Sequence, residues 1–332
     1  MPRPIPTAEE LADRLAAGER RALARAITLV ESARADHRAV AEDLLARLMP
    51  KTGASLRIGL SGVPGVGKST FIEAFGRTVT ERDRKLAVLA VDPSSKRSGG
   101  SILGDKTRME ELARNPAAFI RPSPAGGTLG GVARRTRESL LLCEAAGFDV
   151  ILVETVGVGQ SETAVAEMTD LFVLMLLPGG GDELQGLKKG VVEIADLLLV
   201  NKADGALERE ARRAAAEYHG ALNLLSGGPD RVWAPPVQTC SAVTGAGIEE
   251  AWETMRRFEE TMREAGRFED RRAEQAKSWL HDELAAGLIE ALKRDPATAD
   301  RLPAVEAEVM ARKSPPTVAA KRLIEAFLAG GR

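Results

Sequence analysis

Two cysteines in 332 residues, Cys143 and Cys240, stand too far apart for a C-x-x-C pair, and three histidines, His37, His219 and His281, are scattered singly. That scarcity leaves no disulfide framework, so a reducing, cytoplasmic setting is expected. The Cys and His clusters that gather nickel are missing too. Long hydrophobic runs are equally scarce: the apolar stretch from Leu171 to Leu177 stops at Pro178, far short of a bilayer. Met1-Pro2-Arg3-Pro4-Ile5-Pro6 leads into charged residues without a signal-peptide core. Neither sign of charge is in excess. With 46 Lys and Arg against 48 Asp and Glu, the net charge of −2 argues against a nucleic-acid or membrane binder.

What is present begins with Gly62-Val63-Pro64-Gly65-Val66-Gly67-Lys68-Ser69-Thr70, which fits the phosphate-loop pattern G-x-x-x-x-G-K-S/T. Residues 56–60 before it read as a buried strand and 71–75 behind it as a helix. Glycines let backbone N–H groups converge on phosphate oxygens, and the helix adds its positive end. Lys68 would bridge the β- and γ-phosphates and Ser69 would ligate Mg²⁺.

Apolar strand candidates recur at 56–60, 86–91, 118–121, 149–153, 171–177, 196–200 and 237–240, separated mostly by helical stretches such as 134–146. Continuous apolar strands spaced by helices give an α/β fold with a mostly parallel sheet buried on both faces. This P-loop domain spans 55–266. Before it, 1–54 reads as a helical N-terminal extension with helices near 7–15, 20–35 and 40–49, the first opened by a Thr7/Glu10 capping box. After it, 267–332 reads as a helical arm with Trp279, Leu280, Leu284, Leu288, Ile289 and Leu292 on one face. That stripe suits a homodimer arm, with packing on the main domain as the alternative.

Each further motif falls at a strand end, where such sheets bind ligands. Asp92, in Val91-Asp92-Pro93-Ser94-Ser95, is a candidate Mg²⁺ ligand or a turn cap. Asp105 lies in a polar, glycine-rich loop that either orders over a nucleotide or is simply solvated. Glu154-Thr155-Val156-Gly157-Val158-Gly159-Gln160-Ser161-Glu162 places an acid for metal or attacking water three residues before Gly157, whose N–H can sense a γ-phosphate. Glu154 could equally pair with Lys68. Val158 stands where many GTPases carry a water-orienting glutamine, so hydrolysis without a partner should be slow. A further loop, Gly179-Gly180-Gly181-Asp182, is a plausible nucleotide-sensitive switch. Asn201-Lys202-Ala203-Asp204 matches N-K-x-D: the Asp204 carboxylate suits guanine's N1–H and amine, and the Lys202 stem can cover the ring. Ser241, Ala242 and Val243 follow the last strand, with the Ser241 and Ala242 amides suited to the base.

Together these motifs closely resemble the metallochaperone branch of the SIMIBI-class P-loop GTPases. Within it the chain is most similar to the MeaB group of methylmalonyl-CoA mutase-associated GTPases, whose members once carried the label arginine/ornithine transport kinase. The resemblance implies a GTPase that binds methylmalonyl-CoA mutase, protects it from inactivation and gates loading or exchange of adenosylcobalamin, a cofactor belonging to the partner. It also implies catalytic roles for Lys68, Glu154 and Asp105. Mg²⁺ would be held by Ser69, Asp92, Asp105 and Glu154, and the loops near Asp105, Gly157 and Asp182 would be the switches. A nickel-insertion GTPase and a small-molecule kinase of the same superfamily are the competing readings.

Overall fold

The computed structural model describes residues 6–91, 109–122, 129–155, 161–179, 189–225 and 232–330. It divides into two compact units, one ending at Glu269 and the other starting at Asp270.

Among the described residues, the first unit is built on seven parallel strands: β1 (Leu56–Gly62), β2 (Leu86–Val91), β3 (Ala118–Arg121), β4 (Val150–Thr155), β5 (Leu171–Leu176), β6 (Leu197–Val200) and β7 (Val237–Thr239). Their spatial order is β3-β2-β4-β1-β5-β6-β7, each pair parallel. The chain fills one side of β1 first and then crosses to the other. That reversal leaves a crevice at the carboxyl end of β1. All seven strands lie within two residues of their expected bounds. β1, β4, β5 and β6 are buried along their full lengths, as their mainly apolar sequences require, with the polar Arg57, Ser61, Glu154 and Thr155 buried among them. The edge strands β3 and β7 are only partly buried.

An aspartate just before a strand pins its neighbour in three places. The Asp149 carboxylate accepts the Lys85 N–H at 2.8 Å, Asp170 accepts the Arg57 N–H at 2.8 Å, and Asp196 accepts the Phe172 N–H at 2.9 Å. Each bond occupies a backbone donor at the amino end of the sheet. Each also fixes register where a one-residue slip would turn every core side chain to the other face.

The helices of this unit are α1 (Ala8–Ala16), α2 (Arg20–Glu31), α3 (Ala35–Leu48), α4 (Lys68–Thr80), α5 (Glu110–Arg114), α6 (Leu129–Ala145), α7 (Ser161–Ala166), α8 (Lys189–Glu193), α9 (Glu208–Leu225) and α10 (Ile248–Glu264). Thr7 caps α1 by accepting the Glu10 N–H at 3.2 Å. α2 ends four residues before the expected 35 and α3 begins five before 40, because Ser32 turns to an extended conformation between them. α6 starts at Leu129 rather than 134, so Gly130 and Gly131 are helical against their propensity. α2 and α3 pack against α6, where the Arg38 guanidinium bonds both Glu138 oxygens at 3.0 Å. α4 joins α10 through Phe71, Phe75 and Trp252, the last two edge to face at 5.8 Å.

The second unit holds most of α11 (Arg267–Arg294), then α12 (Pro296–Met310) and α13 (Pro316–Gly330). Asp295 caps α12 by accepting from the Thr298 N–H at 2.9 Å and hydroxyl at 2.7 Å. Arg322 bonds Glu308 at 2.7 Å between α13 and α12. Leu280, Leu284, Leu288 and Ile289 on α11 are all more than half exposed.

Candidate nucleotide site

β1 delivers the chain to Gly62 and α4 takes over at Lys68, so the glycine-rich pattern spans the crevice beside the switch in strand order. Gly65 and Gly67 adopt left-handed φ values of 80° and 95°, conformations that favour glycine. A Cβ on Gly67 would lie 2.7 Å from Asn201 Nδ2, and one on Gly62 would lie 2.7 Å from the Met175 carbonyl oxygen. Gly67 is the N-cap of α4 without a side-chain cap bond, which leaves the helix's first amides aimed into the loop's concavity. Pro64, Gly65 and Thr70 are exposed, Val63 and Ser69 are half-buried, and Val66 is buried.

Lys68 folds back over the loop, and its Nζ donates to the Gly62 carbonyl at 2.8 Å. Burial pushes its ammonium below the ordinary lysine value, while the carboxylates of Glu154 and Glu162 oppose that shift. Glu154 is 6 % exposed and pairs in register with Leu60, one strand across from the loop. The Thr155 hydroxyl donates to Ser61 Oγ at 2.9 Å and ties the two strand ends together. Ser69 and Glu154 supply the hard oxygen donors that Mg²⁺ takes, so the residues present fit that ion. Asp92, Asp105, Gly157 and the Gly180–Asp182 part of the glycine loop lie outside the described residues.

Asn201 is the joint of the base side. Its Nδ2 donates to the Val66 carbonyl at 2.7 Å, while its Oδ1 accepts the Ala242 N–H at 3.0 Å and the Cys240 thiol at 3.6 Å. One buried amide thus links the phosphate loop, the N-K-x-D turn and the segment after β7. Lys202 takes a left-handed φ of 61°, the sharp turn that carries the chain from β6 to Asp204. The Ser241 hydroxyl donates to the Asp204 carboxylate and accepts the Thr244 N–H at 3.1 Å. The backbone amides of Ser241 and Ala242, expected to face a base, are engaged inside the chain. Ser241 N–H donates to Ala246 O at 2.8 Å and Ala242 N–H to Asn201. Val243, 81 % exposed, is the member of that segment turned outward.

Sequence reasoning assigned no role to Glu162, which is 4 % exposed on α7 and whose charge reaches Lys68. An acid in the first turn of a helix usually reads as a solvated dipole partner. Only the packing of α7 on the sheet shows otherwise.

The model of the family "Methylmalonyl Co-A mutase-associated GTPase MeaB" matches residues 23–297. A Caulobacter vibrioides protein named as a GTPase is 56 % identical over 320 residues, covering 96 % of this chain and 97 % of that one. The Mus musculus protein named methylmalonic aciduria type A homolog, mitochondrial, is 50 % identical over 323 residues, covering 94 % of this chain and 78 % of its own length. Among solved structures, one titled LAO/AO transport system kinase superposes with a TM-score of 0.75 at 39 % identity, covering 97 % of both chains. With a family match over most of its length and relatives of this identity, the chain belongs to the MeaB family of methylmalonyl Co-A mutase-associated GTPases.

Proposed function

We propose that this GTPase is the chaperone of an adenosylcobalamin-dependent methylmalonyl-CoA mutase, protecting it from inactivation and gating loading or exchange of its cofactor. The observation that carries the reading is the family match across residues 23–297, supported by the relative named for methylmalonic aciduria. Adenosylcobalamin belongs to the partner: the Asp-x-His-x-x-Gly signature of histidine-ligated cobalamin proteins is absent from this sequence. The setting is cytoplasmic, with no nucleic-acid or membrane partner.

In this reading the amides of residues 62–70 cradle the phosphates, and Lys68 exchanges its bond to the Gly62 carbonyl for phosphate oxygens. Mg²⁺ would be held by Ser69, Glu154, Asp92 and Asp105, neutralising charge on the phosphates. Lys202 covers the guanine and Asp204 reads it, with Ser241 orienting the Asp204 carboxylate. Gly157 senses the γ-phosphate, and the loops near Asp105, Gly157 and Asp182 carry nucleotide state to the partner surface. The exposed stripe of α11 pairs two copies of the chain.

GTP turnover by the purified protein, alone and with stoichiometric methylmalonyl-CoA mutase, tests the assignment. A rise of at least severalfold with mutase is expected, because Val158 occupies the glutamine position and leaves the unaided site slow. An unchanged rate, with GTP still bound tightly, would remove the mutase and leave a GTPase of this family with another client.

A further inference from the structure

β1 and β4 lie side by side, and their backbone register runs from Leu56 opposite Val150 as far as Leu60 opposite Glu154. One residue further on, each strand is paired only with its other neighbour. Ser61 and Gly62 stand opposite Leu174 and Met175 of β5, while Thr155 stands opposite Val91 of β2. At this level β1 and β4 are joined by side chains: the Thr155 hydroxyl donates to Ser61 Oγ at 2.9 Å, and both residues are 0 % exposed. The two ends of this bond adjoin the two halves of the site. Ser61 precedes Gly62, whose carbonyl accepts Lys68 Nζ at 2.8 Å, and Thr155 follows Glu154. Successive strand residues point to opposite faces, so the link grips the strand ends from one face and leaves Glu154 on the face it shares with Leu60.

We infer that Ser61 and Thr155 are positioning residues for GTP hydrolysis: their buried hydroxyl pair holds Glu154 at a fixed separation from the phosphate loop, just past the point where backbone register between their strands ends. The loop amides and Lys68 bind phosphates without calling on that link. The chemical step is more demanding, because an acid displaced by about an ångström no longer holds metal or attacking water in line with the γ-phosphate. Complete burial keeps solvent from standing in for a lost partner, so removal of either hydroxyl is taken up by the geometry of the strand ends.

The inference rests on Glu154 being the acid of the hydrolytic step, so the experiment separates the two. GTP turnover at saturating GTP and Mg²⁺, and GDP affinity by calorimetry, are measured in the full-length wild type, Thr155→Val, Thr155→Ser, Ser61→Ala, the double variant Ser61→Ala with Thr155→Val, and Glu154→Gln. Thr155→Val and Ser61→Ala are each expected to lower kcat about three- to tenfold, the worth of one hydrogen bond, while GDP affinity stays near wild type. Thr155→Ser keeps the hydroxyl and should keep the rate. The double variant should be no slower than the slower single one, because both changes remove the same bond. Unchanged kcat in both single variants, losses that multiply in the double, or GDP affinity that falls in step with kcat each overturn the inference. Should Thr155→Val fail to fold, Ser61→Ala decides alone, and an unchanged kcat there overturns it. Glu154→Gln is expected to lose roughly a hundredfold in kcat. A wild-type rate in that variant would instead overturn the assignment of Glu154 to the hydrolytic step.

Discussion

Asp204 carries one carboxylate oxygen engaged by the Ser241 hydroxyl, and that hydroxyl is itself fixed by the Thr244 N–H. In the proposed role as base reader, the Asp204 side chain would therefore meet guanine already oriented, at little entropic cost. Guanine offers two donors to it, N1–H and the exocyclic amine. Asp204→Asn replaces one acceptor by an NH₂ that meets the guanine amine donor to donor, while Ser241 can still donate to the amide oxygen. The variant is expected to lose GTP affinity by roughly a hundredfold or more and to gain affinity for the xanthine nucleotide, whose C2 carbonyl accepts the new donor. Fluorescence titration with both nucleotides checks this, and retained guanine preference would remove Asp204 as the base reader. At this scale residue identity was legible but bonding was not. The N-K-x-D spacing pointed to Asn201 and Asp204, whereas only coordinates show Asn201 spending its amide on Val66 and Ala242, or the Ser241 amide closing its own turn on Ala246. Those partners come from three separate strand ends, a proximity that spacing along one chain does not encode.

At the scale of elements, the strands were readable because burial demands mainly apolar runs, which leave few alternative bounds. Helix ends were less readable where tertiary contact overrides propensity. Gly130 and Gly131 look like loop, yet α6 runs through them. The tie between α6 and the sheet was also invisible in sequence. Arg57 in β1 bonds Glu144 of α6 through Nε at 3.0 Å and a terminal nitrogen at 2.9 Å, with the side chains 7 % and 0 % exposed. The same carboxylate accepts the Gly53 N–H at 3.0 Å, anchoring the segment that enters β1. An arginine within an apolar strand gives no sign of which acid, 87 residues away, will neutralise it. Removing one partner strands the other charge in a low-dielectric interior. Glu144→Ala is accordingly expected to cost about 3–5 kcal/mol of unfolding free energy, read from the urea midpoint. A loss below about 1 kcal/mol would place this pair with solvent-screened surface bridges.

For the molecule as a whole, the division at Glu269 and Asp270 separates a unit with a continuous sheet core from a helical one whose apolar residues are largely on its surface. Leu280, Leu284, Leu288 and Ile289 are 58 %, 53 %, 62 % and 57 % exposed. Their positions at i, i+4, i+8 and i+9 form one stripe, which an isolated monomer would present to water. Covering them on both protomers of the proposed dimer contributes on the order of 1 kcal/mol per side chain. Eight such side chains are comparable with the lower range of the association cost, about 4–15 kcal/mol, so the stripe must be a large part of any dimer it forms. Leu284→Glu combined with Leu288→Glu places like charges opposite one another in a self-complementary contact and is expected to yield monomers by sedimentation equilibrium. The first unit draws its core from the sheet, α4 and α10, so the thermal transition of that unit and its GTP affinity should remain near wild type in the same variant. A variant that stays dimeric would move the contact elsewhere, whereas one that loses GTP affinity would show the second unit supporting the nucleotide site directly.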